Sequence, residues 1–155
     1  MKPEFKYEAG QFFLDKEGRW FHEGVEITHK LTCELFSRSL HPDGAGGWKL
    51  VVGLEWAPVT VEDTPYVVRQ VNFENEKAIL SLNDGAEEEL CEATLRQNAD
   101  NVLYCDVKEC RFPARFLRPA YYQLMERLTE CEDGSFAVDI NGRLWPIRLE
   151  TQPGG

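Results

Sequence analysis

The sequence predicts an α+β protein, mostly antiparallel, with two helices and two structurally similar lobes. Alternation at period two is the first reason: Trp48, Leu50, Val52, Leu54 and Trp56 share one parity, as do Phe136, Val138 and Ile140, and such spacing puts side chains on one face of a strand. Helical spacing is confined to two stretches, Leu31 to Leu40 and Tyr121 to Leu128. The third reason is a repeat. From Leu35 to Val59 the chain reads helix, Asp43-Gly44, a strand from Trp48, then Gly53-Leu54-Glu55-Trp56-Ala57-Pro58-Val59. From Leu124 to Ile147 it reads helix, Asp133-Gly134, a strand from Phe136, then Gly142-Arg143-Leu144-Trp145-Pro146-Ile147. Two similar halves imply a seam, where a pocket would form.

The elements follow in order. The opening residues read as frayed, with order starting near Gln11. Phe12 and Leu14 share a strand face, Asp15-Lys16-Glu17-Gly18 turns, Arg19 to His22 returns, and Glu23-Gly24 turns into Val25-Glu26-Ile27. Thr28 is placed as an N-cap for a helix that buries Leu31, Leu35, Phe36 and Leu40 and stops before Pro42. Trp48 to Trp56 reads as one strand, and Pro58 marks a bend, an end or an edge. After the turn at Asp63-Thr64-Pro65, Tyr66 to Phe73 is a strand. Ala78 to Leu82 and Ala86 to Leu90 form a hairpin whose Glu87-Glu88-Glu89 suits a charge-protected edge. Cys91 to Asn101 reads as a helical turn and loop, and 102–107 and 111–116 as strands. Pro119 fits the first turn of the second helix. Asn141-Gly142 is the strongest hairpin signal; the last strand runs from Leu144 to Leu149, and Thr151 to Gly155 is a tail. The total is roughly nine to eleven strands at ordinary strand length, in an N-terminal lobe over 10–60 and a C-terminal β-rich lobe with one helix over 61–150.

Composition sets limits. A chain of 155 residues, 43% hydrophobic, buries roughly 70% of its unfolded surface and needs no metal to fold. The net charge of −10 disfavours nucleic acid and anionic membrane as partners. Met1 to Lys6 holds no signal-like apolar stretch, and no window approaches a membrane span. The five cysteines, Cys33, Cys91, Cys105, Cys110 and Cys131, lack C-x-x-C spacing and read as unpaired thiols in a reducing cytoplasm.

Motifs for catalysis are missing. Gly44-Ala45-Gly46-Gly47 lacks the lysine and the strand-to-helix context of a phosphate loop. Cys105 and Cys110 flank a hairpin turn without a second pair or a close histidine, so no metal site is expected. No motif sets a cysteine beside a histidine base with a third group to orient it, and no Gly-x-Ser-x-Gly occurs. Catalytic residues, metals and cofactors are therefore all expected to be none.

Binding candidates are easier to name. Trp20 and His22 share a strand face; the first expectation is a core tryptophan with His22 at the rim, the second a ligand-stacking pair. Glu62 and Asp63 end a strand and would cap a turn, or hold a ribose hydroxyl, a base edge or an arginine. Lys108, Arg111, Arg115, Arg118 and Arg127 form the locally basic region of an acidic chain, for ordinary ion pairing or for an anion.

Three stretches together carry a resemblance: Phe13 to Gly24, Val61-Glu62-Asp63-Thr64-Pro65-Tyr66-Val67-Val68, and Ala114-Arg115-Phe116 before Tyr121-Tyr122. In this order, over about Gly10 to Ile147, the chain resembles a bacterial family known as domain-of-unknown-function family 1285. The resemblance implies two lobes with duplicated motifs, the second superficially like a pleckstrin-homology fold. It also implies a nucleotide-like ligand between the lobes and a part in signalling. The matching positions are Trp20, His22, Glu62, Asp63, Tyr66, Arg115 and Tyr121.

These readings converge on a non-catalytic, nucleotide-like ligand-binding module. Arg115 and Arg118 would hold phosphate, Trp20 or Tyr66 would stack on a base, and Glu62 or Asp63 would take ribose hydroxyls. The alternative is a protein-interaction adapter that docks a partner through a strand edge or an aromatic patch around Trp56 and Trp145. A small enzyme has only unassigned carboxylates behind it.

Overall fold

A computed structural model describes the backbone of residues 5–6 and residues 11–150; the expectations of a frayed start and a C-terminal tail lie outside them. The chain divides between Pro65 and Tyr66 into two compact units. The architecture is α+β, with mixed and antiparallel sheets and two helices.

In the first unit, β1 (Phe5–Lys6), β2 (Phe12–Leu14), β3 (Trp20–His22) and β4 (Val25–Ile27) precede α1 (Lys30–Arg38). Then come β5 (Leu40–Pro42), β6 (Trp48–Val52) and β7 (Glu55–Val61). The strands form one sheet in the order β4-β3-β2-β7-β6-β5, with β1 also paired to β7. Phe12, Leu14, Trp20, Leu40, Leu50, Ala57 and Val59 point to one face and make the core, with Phe36 and Cys33 of α1 packed on them. The buried indole of Trp20 donates to Ser37 Oγ at 2.9 Å, so the one polar atom of that side chain is satisfied inside the core.

The structure corrects two expectations here. Trp48 to Trp56 is a hairpin: Val52 pairs with Glu55 and Leu50 with Ala57, around Gly53 at φ +62°. Paired residues share a face, so the inward parity passes from even numbers on β6 to odd numbers on β7. Trp56 therefore falls on the other face, 5.9 Å beneath the Lys49 ammonium. The helix is also phased differently. Its N-cap is His29, whose Nδ1 accepts from the Thr32 amide at 3.3 Å, and Leu31 and Leu35 are exposed. Cys33, Phe36 and Ser37 face inward at the i, i+3, i+4 spacing of a helical stripe, and Leu40 belongs to a strand. Pro58 sits inside β7, between Trp56, where the β1 ladder ends, and Val59, where the β2 ladder begins; a residue without an N–H suits that gap.

In the second unit, β8 (Tyr66–Glu74), β9 (Lys77–Leu82) and β10 (Glu87–Glu89) lead to a 3-10 turn at Glu92–Thr94. After it come β11 (Arg96–Gln97), β12 (Leu103–Val107), β13 (Phe112–Phe116) and α2 (Arg118–Met125). A meander of β14 (Leu128–Glu130), β15 (Phe136–Ile140) and β16 (Arg143–Pro146) follows, then β17 (Arg148–Leu149). The main sheet runs β10-β9-β8-β13-β12-β11-β17, so the triple-glutamate strand lies at its edge. Val68, Leu80, Leu103, Cys105, Ala114, Leu124 and Val138 belong to one core. Gln123 ties α2 to the sheet by accepting the Val71 amide at 2.6 Å. Pro119 stands in the first turn of α2, and Asn141-Gly142, both at positive φ, turn β15 into β16.

The repeat is visible in both units: a helix, then a three-stranded antiparallel meander, β5-β6-β7 in one and β14-β15-β16 in the other. The strand total is a further correction. The described residues contain 17 strands, because short strands appear around α1, Cys91 to Asn101 and Ile147 where the sequence suggested loops or continuous strands. Cys91 and Cys110 are disulfide-bonded, with their Cα atoms 6.1 Å apart, which corrects the reading of five unpaired thiols. Cys91 opens the 3-10 turn and Cys110 lies in the β12–β13 connection, a proximity created by the sheet and not by sequence spacing.

Candidate functional site

A pocket of about 360 Å³ opens on the helix-covered face of the first sheet, beside α1. Its lining comes from Phe12, His22 and Ile27 on β2–β4, Phe36 on α1, and Leu50, Val52, Glu55 and Ala57 on the β6–β7 hairpin, with Trp56, of the opposite parity, bordering it at the end of the hairpin. The cause is a short helix on a wide sheet. Phe36 fills the middle, edge-on to Phe12 at 5.6 Å and to Trp20 at 5.5 Å between ring centroids, and the sheet beyond it is left uncovered. The His22 imidazole stacks on Phe12 at 4.5 Å with the planes 15° apart.

The chemistry of this lining is narrow. Aromatic and aliphatic surfaces dominate, as in small-molecule sites of roughly 300–1,000 Å³. His22 supplies a nitrogen that donates or accepts according to tautomer, and Glu55 supplies a carboxylate that only accepts when ionised. No lysine or arginine is among the lining residues. The arrangement suits a flat, largely apolar group carrying N–H donors and is hostile to a phosphate.

Of the residues expected from sequence to contact a small ligand, His22 alone lines this pocket, and Trp56, expected in an aromatic docking patch, borders it. Trp20 is fully buried beneath it, matching the core expectation for that residue. Glu62 closes a turn: its carboxylate accepts the Lys16 amide at 2.9 Å, and its own amide donates to Leu14 at 2.9 Å. The neighbouring Asp63 is exposed. The other candidates belong to the second unit. Tyr66 is buried, its ring 6.2 Å from Phe112 and 5.3 Å below the Lys108 ammonium. Burial, with Asp84 and Glu88 nearby, pushes its phenol up. Arg115 is half-buried on β13, Arg118 is exposed at the first position of α2, and Tyr121 is half-buried against the core, its ring 5.5 Å from Tyr122. Arg111 stacks on Phe112 at 5.0 Å and Arg127 on Phe73 at 4.0 Å, so with Lys108 three of the basic side chains lie on aromatic faces.

Phe12, Ile27, Phe36 and Leu50 carry no sequence signal as pocket residues, because an apolar side chain beside a cavity looks the same in sequence as one in a filled core, and Glu55 reads as one of many exposed carboxylates. Among the described residues, no group of three or more His, Cys, Asp or Glu side chains is arranged to hold a metal. No helix among them is long and apolar enough to cross a membrane.

No family sequence model matches the chain, and no curated protein matches it. Solved structures do. A DUF1285 family protein from Silicibacter pomeroyi superposes with a TM-score of 0.69 at 22% identity, covering 94% of this chain and 83% of that one. A DUF1285 family protein from Shewanella baltica gives a TM-score of 0.59 at 20% identity, covering 77% of this chain and 94% of that one. Across most of its length the chain therefore has the fold of DUF1285 family proteins, as the stretches around Trp20, Asp63 and Arg115 had led us to expect.

Proposed function

We propose that the protein is a non-catalytic ligand-binding module whose ligand enters the pocket of the first unit. The observation that carries this reading is the aromatic-lined cavity of about 360 Å³ with His22 and Glu55 as its polar groups. A nucleobase or a similar planar nitrogen heterocycle fits it: the ring faces meet aromatic surface, and ring or amino N–H groups donate to Glu55. This keeps the nucleotide-like ligand but changes which part of it is gripped. The base is held, and any phosphate lies outside, away from a carboxylate in a chain of net charge −10. Binding without turnover is the behaviour of a sensor, which is how a signalling role would arise.

The test is a thermal-shift series with adenine, guanine, their nucleosides and their monophosphates. At a hundred times its dissociation constant a ligand adds about 2.7 kcal/mol, a rise of about 5–10 °C for a chain of this size. Base and nucleoside are expected to act at least as strongly as the monophosphate, and Val52→Trp, which fills the mouth from an exposed position, is expected to abolish the shift. If no compound shifts the wild-type protein, the ligand-binding reading fails.

A second reading rests on a separate observation. Leu31 and Leu35 lie one turn apart on the outward side of α1, 66% and 40% exposed, and an apolar helix stripe of this kind docks protein partners. Under that reading Leu31→Glu abolishes association while Val52→Trp leaves it intact.

A further inference from the structure

We propose that Cys91 and Cys110 form a thiol–disulfide exchange site for a dithiol, and that the state of their bond sets the conformation of the turn from Lys108 to Cys110. The turn is unusual in its backbone. Lys108, Glu109 and Cys110 have φ of +57°, +63° and +58°, three consecutive L-residues in the left-handed region without a glycine or asparagine among them. Elsewhere among the described residues such conformations occur singly or in pairs, and each group includes Asn or Gly, as at Glu23-Gly24, Asn75-Glu76 and Asn141-Gly142. A bulky side chain disfavours this region, and a run of it persists only where the surroundings impose it.

The surroundings can be named. The Glu88 carboxylate accepts the Lys108 amide at 2.9 and 3.1 Å. Asp84 holds the Lys108 ammonium at 2.5 Å, and the Arg111 amide donates to Val107 O at 2.9 Å. The covalent restraint is the bond from Cys110 to Cys91, the restraint that a reductant removes. Cys110 is exposed and Cys91 half-buried, whereas Cys105 is fully buried. An incoming thiolate therefore reaches Cys110 first, and Cys105 is shielded from exchange.

The chemistry balances with a dithiol as co-reactant. One thiolate of the dithiol attacks Cys110 Sγ, forming a mixed disulfide and expelling Cys91 as a thiolate, which takes a proton. The second thiol of the dithiol loses its proton and attacks the mixed disulfide, expelling the Cys110 thiolate, which is protonated in turn. Two electrons and two protons pass to the protein, and the dithiol leaves as a disulfide. With the bond open, the run 108–110 relaxes and the clasp of Glu88 and Asp84 on Lys108 loosens.

The experiment uses the full chain and dithiothreitol, with thiols counted by mass after alkylation under native conditions and amide exchange read residue by residue. Reduction is expected to unmask Cys91 and Cys110 without unfolding. It is expected to speed exchange at the Lys108 and Arg111 amides by about tenfold or more while Cys105 in β12 stays protected. Cys91→Ser/Cys110→Ser is expected to show the reduced pattern without reductant. In Glu109→Gly, where the left-handed conformation is no longer disfavoured, reduction is expected to change the same amides by less than about twofold. Reduction only on global unfolding would overturn the proposal, leaving a plain structural cross-link. Identical turn exchange in both redox states would overturn it too, as would a wild-type response from Glu109→Gly.

Discussion

The Lys108 ammonium lies 2.5 Å from Asp84 Oδ2, pairing a side chain that is 29% exposed with a carboxylate that is 4% exposed. Asp84 Oδ1 meanwhile accepts the Ala86 amide at 3.0 Å, so this one carboxylate closes the β9–β10 turn and anchors the β12–β13 turn. Lys108→Met removes this cation from beside a buried carboxylate. The expected loss is about 2 kcal/mol, less than the ~3–5 of a fully buried pair because water reaches the lysine. Urea denaturation measures it, and Asp84→Asn added to Lys108→Met is expected to recover part of the loss.

Ser37→Ala tests the polar contact inside the first core. It removes the acceptor of the Trp20 indole N–H and leaves a buried donor unpaired, at a cost of about 1–3 kcal/mol. Denaturation followed by tryptophan emission reads it, and a variant as stable as wild type would mean that the indole finds another partner.

The phase of α1 is testable by contrast. Leu35→Glu is expected to change stability by less than about 0.5 kcal/mol. Phe36→Ala, one residue on, removes the ring that meets Phe12 and Trp20 and is expected to cost about 2–3 kcal/mol, the low end for a partly exposed phenylalanine. Equal losses at the two positions would contradict the inward stripe of Cys33, Phe36 and Ser37.

Asp133 makes the pH dependence specific. The Ser135 hydroxyl at 2.6 Å and amide at 2.9 Å both donate to its carboxylate, holding its pKa below the ordinary value. A depressed folded-state pKa stabilises the fold above the unfolded value of ~3.9, and that contribution is lost as pH falls through the folded value. Ser135→Ala is expected to raise the Asp133 midpoint toward the ordinary range in an NMR titration and to flatten this part of the stability curve below about pH 4.

Local chemistry was readable in the sequence where one residue type answers one backbone demand. Asn141-Gly142 announces its hairpin, Pro119 the first turn of α2, and Glu87 to Glu89 an edge strand. The helix-then-meander repeat was legible for the same reason, since its Asp-Gly and Gly-containing turns recur in order. Trp48 to Trp56 misleads because an apolar run at period two reads alike with or without a two-residue turn, and only backbone geometry at Gly53 decides. Phe36 and Leu35 are both apolar, so tertiary packing chose which would face the sheet. The pocket escaped because an unfilled volume is a property of distances between strands. His22 was its one polar signal, and Glu55 gave none. The Cys91–Cys110 bond escaped because it joins the segment after β10 to the β12–β13 turn, two segments that are not paired in the sheet and meet only in the folded unit, where Glu88 also accepts the Lys108 amide.

Burial alternates along β12, with Leu103, Cys105 and Val107 inward. This alternation has a use beyond packing. Cys105 stands between Cys91 and Cys110 in the chain and would compete for either sulfur, but its place on the inward parity withdraws it. A slip of β12 by one residue would turn Cys105 outward and carry the whole apolar set to the wrong face. The pairing of the cysteines thus keeps a chemical record of strand register. A Cys91–Cys105 link in a peptide digest would report a Cys105 drawn out of the buried place that the native register gives it.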